Sequence, residues 1–127
     1  MLDLSNILNG NVFFNTKTIC AGHHNVTYRG IKAIKNPFDY LIYQMILCEV
    51  KPDLVIEIGT NCGGGALYLA DILQLTGNGI LHSIDIENQS DILLKNHPRI
   101  RLFYDGWENY DFKEIENYNN ILVIEDA

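Results

Sequence analysis

Residues 53–65 read Asp-Leu-Val-Ile-Glu-Ile-Gly-Thr-Asn-Cys-Gly-Gly-Gly. The apolar run 54–58 stops in a glycine turn, and residues 66–75 follow with apolar side chains at helical spacing. That is a strand, a tight loop and a helix. It is the layout in which a ligand sits against a helix N-terminus, where free backbone N–H groups point outward. A chain carrying this unit is constrained toward an α/β fold.

The rest of the chain agrees. Asn36 can cap a helix, Pro37 fits its first position and Asp39 suits its first turn. Phe38, Leu41, Ile42, Met45 and Ile46 then recur as one apolar stripe, and Lys51-Pro52 stops the helix. The helix over 63–75 is expected to end at Gly77-Asn78-Gly79. A buried strand is predicted over 80–86, and a short helix opened by Ser90 and Asp91 that ends near Asn96. His97-Pro98 reads as a turn, 99–104 as a third strand, 107–117 as a helix and 121–125 as a fourth strand. Strands alternating with helices predict a Rossmann-like parallel sheet with right-handed crossovers and flanking helices. Residues 1–29 read as an irregular or partly helical N-terminal extension, and residues 30–127 as the sheet domain. The fourth strand would leave a bare apolar edge, a liability in a parallel sheet. The expectation is a fold truncated after its fourth strand: a fragment, a natural truncation, or a chain that covers the edge as a homo-oligomer.

Composition excludes several classes. The chain has 127 residues, 47% of them hydrophobic, enough for one small domain with a core. Nine basic residues are scattered among sixteen acidic ones, for a net charge of −7, so no nucleic-acid partner is expected. No apolar stretch approaches the roughly twenty residues of a membrane span. No basic segment precedes an apolar block at the N-terminus, as a signal peptide would require. Three cysteines, Cys20, Cys48 and Cys62, without paired spacing fit reduced thiols and a cytoplasmic location. Cys48 is expected buried in its helix, and Cys62 to serve packing or backbone rather than nucleophilic attack. Cys20 with His23-His24 lacks a second ligand pair for zinc; the histidines could instead supply a general base.

The glycine loop narrows the ligand. A dinucleotide fingerprint needs a glycine two residues after Gly59, where Asn61 stands, and no Gly-Lys-Ser/Thr of a phosphate loop occurs. Glu57, two residues before Gly59, would repel a pyrophosphate. It suits a cofactor bearing a cation, such as the amino group of S-adenosylmethionine (SAM). The expected contacts are Glu57, Gly59, Thr60, Asn61, Gly63 and Gly64. Asp85, about twenty residues past the loop, suits ribose hydroxyls, with Glu87 as the alternative. Asp105 suits an adenine amino group. Trp107 can stack on a ligand or pack, and packing is the expected role. Glu125 and Asp126 end the fourth strand; they suit a hard cation such as Mg²⁺ or stand as capping or solvated charge.

An ordered series of motifs adds a resemblance. It comprises Gly30, Lys35, Pro37 and Asp39; Lys51-Pro52-Asp53; Val55-Ile56-Glu57-Ile58-Gly59-Thr60; Gly63-Gly64-Gly65-Ala66-Leu67; Ser83-Ile84-Asp85-Ile86; His97-Pro98-Arg99-Ile100; and Val123-Ile124-Glu125-Asp126-Ala127. The series resembles the cephalosporin hydroxylase and rhamnosyl O-methyltransferase family, a branch of class I SAM-dependent methyltransferases. It covers about residues 30–127, and the upstream Gly-Lys-Pro-Asp pattern points to the branch. The resemblance implies Mg²⁺-assisted methyl transfer to a hydroxyl of a sugar or small natural product, with Glu57, Gly59 and Asp85 at the cofactor and Asp126 as a metal ligand. Such proteins continue past the fourth strand to a histidine and further strands. The alternative expectation is therefore a catalytically silent SAM-binding or assembly module. A nicotinamide-dependent oxidoreductase is disfavoured by the missing central glycine.

Overall fold

The computed structural model describes residues 15–88 and 91–125. Helix α1 (Thr16–Gly22) starts at Asn15, whose side chain accepts from the Thr18 amide. A 3-10 turn, His23–Asn25, leads into a two-stranded antiparallel hairpin, β1 (Thr27–Tyr28) and β2 (Ile31–Lys32). Both central residues of its turn have positive φ, Arg29 at 51° and Gly30 at 86°. That matches the right-handed twist of paired strands. This hairpin straddles the boundary drawn at residue 30.

Helix α2 (Pro37–Val50) is built as its sequence predicts. Asn36 accepts from the Phe38 amide, Pro37 opens the helix, and Lys51 turns left-handed (φ 48°) to end it. Its apolar stripe, however, points outward: Phe38, Leu41, Ile42 and Met45 are each more than half exposed, while Leu47 is buried. Cys48, expected inside, is exposed, because it lies on the outer side of this helix.

The central sheet holds β3 (Leu54–Ile58), β4 (Ile80–Ile84), β5 (Ile100–Phe103) and β6 (Ile121–Glu125) in the order β5-β4-β3-β6, all pairs parallel. Helix α3 (Gly64–Thr76) and the short α4 (Ile92–Lys95, capped by Asp91) cross between the strands. Ser90 lies outside the described residues. Side chains alternate along β3 between two cores. Val55 joins Leu67, Leu73, Leu81 and Ile124 beneath α3. Leu54 and Ile56 join Ile84 and Tyr110 on the opposite face.

Three further expectations need correction. The strand predicted over 80–86 ends at Ile84, because the Asp85 carboxylate accepts from the Ile86 and Glu87 amides and turns the chain. The helix predicted over 107–117 is instead two 3-10 turns, Trp107–Asn109 and Phe112–Ile115. Tyr110 between them is extended (φ −66°, ψ 127°), and Asp111 caps the second turn through the Lys113 amide. This break drops the Tyr110 ring onto the sheet, where its hydroxyl lies 2.5 Å from His82 Nδ1. Trp107 does not pack as expected; it is 54% exposed.

Candidate functional site

The carboxyl end of β3 lies in the middle of the sheet, and its glycine loop opens a cleft of about 170 Å³. Glu57, Gly59, Thr60, Asn61, Cys62, Gly64 and Gly65 form one wall, and residues 32–35 with Tyr40 form the other. Such crevices at the carboxyl ends of parallel strands are where open α/β sheets bind ligands.

Glu57 is the chemical centre of the cleft. Its side chain is on the α3 side of the sheet and only 2% exposed. A buried carboxylate must be held by hydrogen bonds, and Ser83 Oγ on the adjacent strand donates to Oε2 at 2.6 Å. The single Ser83 hydroxyl proton is thereby committed. The 2.6 Å contact between Thr60 Oγ1 and Ser83 Oγ therefore has Thr60 as donor. The relay Thr60, Ser83, Glu57 fixes the carboxylate, with Oε1 toward the start of α3, where an added Cβ on Gly65 would lie 3.2 Å away.

The loop itself is held from outside the cleft. Gly59 and Gly63 have φ of 102° and 91°, and Asn61 sits left-handed at 48°. Asn61 tolerates that region, and its amide is pinned to Asp85 Oδ2 at 2.7 Å. Asp85 thus spends its two oxygens on the Asn61, Ile86 and Glu87 amides. It stands at the rim rather than in the wall. The Gly106 amide donates to the Asp85 carbonyl, which brings the end of β5 and the exposed Asp105 beside that rim.

The cleft therefore gathers five of the expected contacts: Glu57, Gly59, Thr60, Asn61 and Gly64. Gly63 is buried at the helix cap, where a Cβ would strike Leu94. Asp126 lies outside the described residues. Among the described residues no group of three His, Cys, Asp or Glu side chains is placed to hold a metal. Glu125 is exposed at the end of β6. The donor set on hand does not by itself make a Mg²⁺ site. His23 and His24 stack on each other at 3.9 Å and do not line the cleft.

Ser83 and Lys35 stand in the motif series without an assigned contact, and Tyr40 carries no signal of its own in the sequence. Lys35 lines the cleft at 7% exposure. Its place depends on Gly64: a Cβ there would lie 2.4 Å from the Lys32 carbonyl oxygen and 2.6 Å from Ala33 Cβ. Only glycine lets the 32–35 strap lie against α3.

A family model described as Rhamnosyl O-methyltransferase/CmcI matches residues 21–103. The Rhamnosyl O-methyltransferase of Mycobacterium leprae (strain TN) is 36% identical over 98 residues, covering 70% of this chain and 39% of that protein. The protein of the same name from Mycobacterium tuberculosis (strain ATCC 25618 / H37Rv) is 49% identical over 51 residues, covering 40% of this chain and 21% of its own. The chain thus spans well under half the length of these relatives. Among solved structures, CmcI with SAH superposes at a TM-score of 0.70 with 18% identity, over all of this chain and 57% of that one. CmcI with Mg-SAM superposes at 0.67 with 22% identity, over 82% and 47%. At these identities the likeness is one of fold. No helix among the described residues is long and apolar enough to cross a membrane. With its glycine loop, its parallel sheet and the family match along residues 21–103, the chain belongs to the rhamnosyl O-methyltransferase/CmcI family.

Proposed function

We propose that the chain is the cofactor-binding part of an O-methyltransferase that carries a methyl group from SAM to a hydroxyl of a saccharide. The observation that carries this reading is Glu57: a buried carboxylate, fixed by Ser83 and Thr60, in the floor of a glycine-walled cleft. It fits the ammonium of the cofactor's amino-acid end and rejects a pyrophosphate. The relatives' name, Rhamnosyl O-methyltransferase, favours a rhamnosyl acceptor.

When bound, SAM supplies a sulfonium-activated methyl group. The work left to the chain is positioning and exclusion of water. Glu57 anchors the amino-acid end. Gly59, left-handed in the cleft wall, leaves the path of the nucleoside free of a side chain there, and Gly63 lets the loop close onto Leu94. Asp85 and Asp105, at the ends of β4 and β5, flank the rim toward which the ribose and adenine would extend. At about 170 Å³ the cleft is smaller than the roughly 300–1,000 Å³ typical of whole drug-sized ligands, so it suits one end of the cofactor. Asp126, next to Glu125, is the proposed Mg²⁺ ligand, since carboxylates suit that hard cation.

Isothermal titration with SAM and with SAH tests the cofactor reading. Saturable heat with both, and none with NADH, is the expected result. Absence of heat and of any thermal shift at millimolar SAM would remove it. Transfer of labelled methyl to a rhamnoside tests the acceptor; labelled SAM left intact with every saccharide offered favours the silent-module alternative.

A further inference from the structure

We propose that Asp71, a residue of α3 outside the cleft lining, is a positioning residue: it latches the β1–β2 hairpin to α3, and so sets the second wall of the cleft and the affinity for the cofactor. The ligand is that of the cofactor reading above, on which this role rests; the latch geometry is independent of that reading.

Three chain segments converge on this one carboxylate. From the end of β1, the Tyr28 hydroxyl donates to Asp71 Oδ2 at 2.9 Å. From the hairpin turn, the Arg29 guanidinium donates to Oδ2 at 3.1 Å and to Oδ1 at 3.3 Å. From the turn before β5, His97 Nε2 reaches Oδ1 at 3.2 Å. The Arg99 amide donates to His97 Nδ1 at 3.2 Å, so the proton of the neutral ring is on Nε2 and points at Asp71. Together these contacts use the acceptor capacity of both oxygens. His97 braces the carboxylate from the sheet domain, while Tyr28 and Arg29 tie the hairpin to it. Burial, and then the bond to Asp71, raises the Tyr28 pKa to about 12, so its hydroxyl stays a donor at neutral pH.

The latch bears on the cleft along one face of α3. Gly64, Tyr68 and Asp71 stand at i, i+4 and i+7, a single stripe of the helix. The 32–35 strap rests on Gly64 at backbone distance, and Asp71 lies about 10 Å further along the helix axis. Between the two, the Tyr68 ring meets Tyr28 edge-on at 5.3 Å and Tyr40 edge-on at 4.6 Å. The Tyr68 hydroxyl donates to the Tyr40 carbonyl at 2.6 Å, and Tyr40 lines the cleft beside the strap. Strands of two residues each do not hold a hairpin in place alone. Tyr28 and Ile31 rest on the core beneath α3, but apolar contact is non-directional and does not fix where along the helix the hairpin sits. The directional bonds to Asp71 do. Lys32 belongs both to β2 and to the cleft wall, so a displaced hairpin displaces the wall.

The experiment pairs SAM calorimetry with amide hydrogen exchange. Asp71→Asn removes the charge and one acceptor oxygen of the latch. It should weaken SAM by about threefold to tenfold, because apparent affinity falls with the fraction of molecules whose wall is in place. The amides of residues 31–35 should exchange faster by at least the same factor, while those of β3 and β4 keep their protection, a local loosening that a general loss of stability would not produce. Tyr28→Phe should weaken SAM less, and adding it to Asp71→Asn should cost little more, since both act through one latch; fully additive losses would contradict that. Should Asp71→Asn fail to fold, Tyr28→Phe and Arg29→Gln, which leave the carboxylate its other partners, are read in the same way. A folded Asp71→Asn chain with unaltered SAM affinity, or weaker binding with exchange at 31–35 unchanged, overturns the role of Asp71 and leaves the cofactor reading intact. No binding of SAM by the unaltered chain overturns the cofactor reading; the exchange at 31–35, which needs no ligand, then decides the latch by itself.

Discussion

Gly64 and Gly65 are neighbours in the chain, yet their hydrogens face different things. A Cβ on Gly64 meets the backbone of the 32–35 strap at 2.4 Å, and backbone cannot step aside cheaply. A Cβ on Gly65 meets only the Glu57 carboxylate, at 3.2 Å. Gly64→Ala should push the strap off α3, cost on the order of 2 kcal/mol and abolish the cleft. Gly65→Ala should cost less than about 1 kcal/mol, since alanine also favours the helix. It should still weaken SAM binding by crowding Glu57. Urea midpoints with parallel SAM titrations check this pair, and a Gly65→Ala variant less stable than Gly64→Ala would contradict the placement of the strap. The glycine run is plain in the sequence, and so is the carboxylate before it. Which glycine admits a remote strap, and that Ser83 holds Glu57, are not, because both depend on segments distant in the chain that meet only in the folded sheet.

Helix α2 divides at the scale of the element in the same way. Its ends are local chemistry and legible: an Asn36 cap, Pro37 at the first position, a left-handed Lys51. The spacing of its apolar side chains announces a stripe, but periodicity gives a stripe no address. The stripe of Phe38, Leu41, Ile42 and Met45 faces outward, and Leu47 reaches the core. The two faces should therefore respond oppositely to substitution. Leu47→Ala should cost about 2–5 kcal/mol by leaving a cavity under α3. Leu41→Lys with Met45→Lys should change stability by about 0.5 kcal/mol or less and reduce self-association, since a contiguous exposed apolar patch invites contact. Thermal unfolding and sedimentation of both variants distinguish the faces; equal destabilisation would mean that α2 packs through its stripe. The segment 107–117 failed as a predicted helix for a related reason. Its polar and aromatic residues satisfy helical spacing, but Gly106 at φ 76° and the Asp111 cap break it into turns, and Tyr110 gains more by docking on the sheet than by continuing a helix.

Across the whole molecule, the alternation of strands and helices announces a parallel sheet, while the order β5-β4-β3-β6 and the two cores on its faces are seen only in the fold. What the pattern does not reveal is a histidine inside one of those cores. His82 is fully buried on the face opposite α3, with Phe103, Tyr110 and Tyr118 around its ring and Arg101 on the next strand. Its Nδ1 pairs with the Tyr110 hydroxyl, and its buried Nε2 has no hydrogen-bond partner among the described residues. Burial first, and the Arg101 charge second, lower its pKa from 6.5 to about 4. The unfolded chain therefore binds a proton near pH 6.5 that the folded chain refuses until about pH 4. The stabilisation is complete above about pH 6.5, and it is lost as the pH falls toward 4, to an extent on the order of 3 kcal/mol. Asp71 contributes in a lower window. Burial raises its pKa, but hydrogen bonds from Tyr28, Arg29 and His97 outweigh burial and leave it below the ordinary 3.8, so its share is lost only under more acid conditions. At the alkaline end, burial raises Tyr110 to about 12, and the stability this gives is lost as pH climbs from 10 toward that value. Urea unfolding between about pH 7.5 and pH 4.5 should thus show stability falling as the medium acidifies. Replacing both partners, His82→Phe with Tyr110→Phe, leaves neither ring with an unmet polar group and should flatten that slope. A level profile in the unaltered chain, or an unchanged slope in the double variant, would show that the acid limb arises elsewhere than in this buried pair.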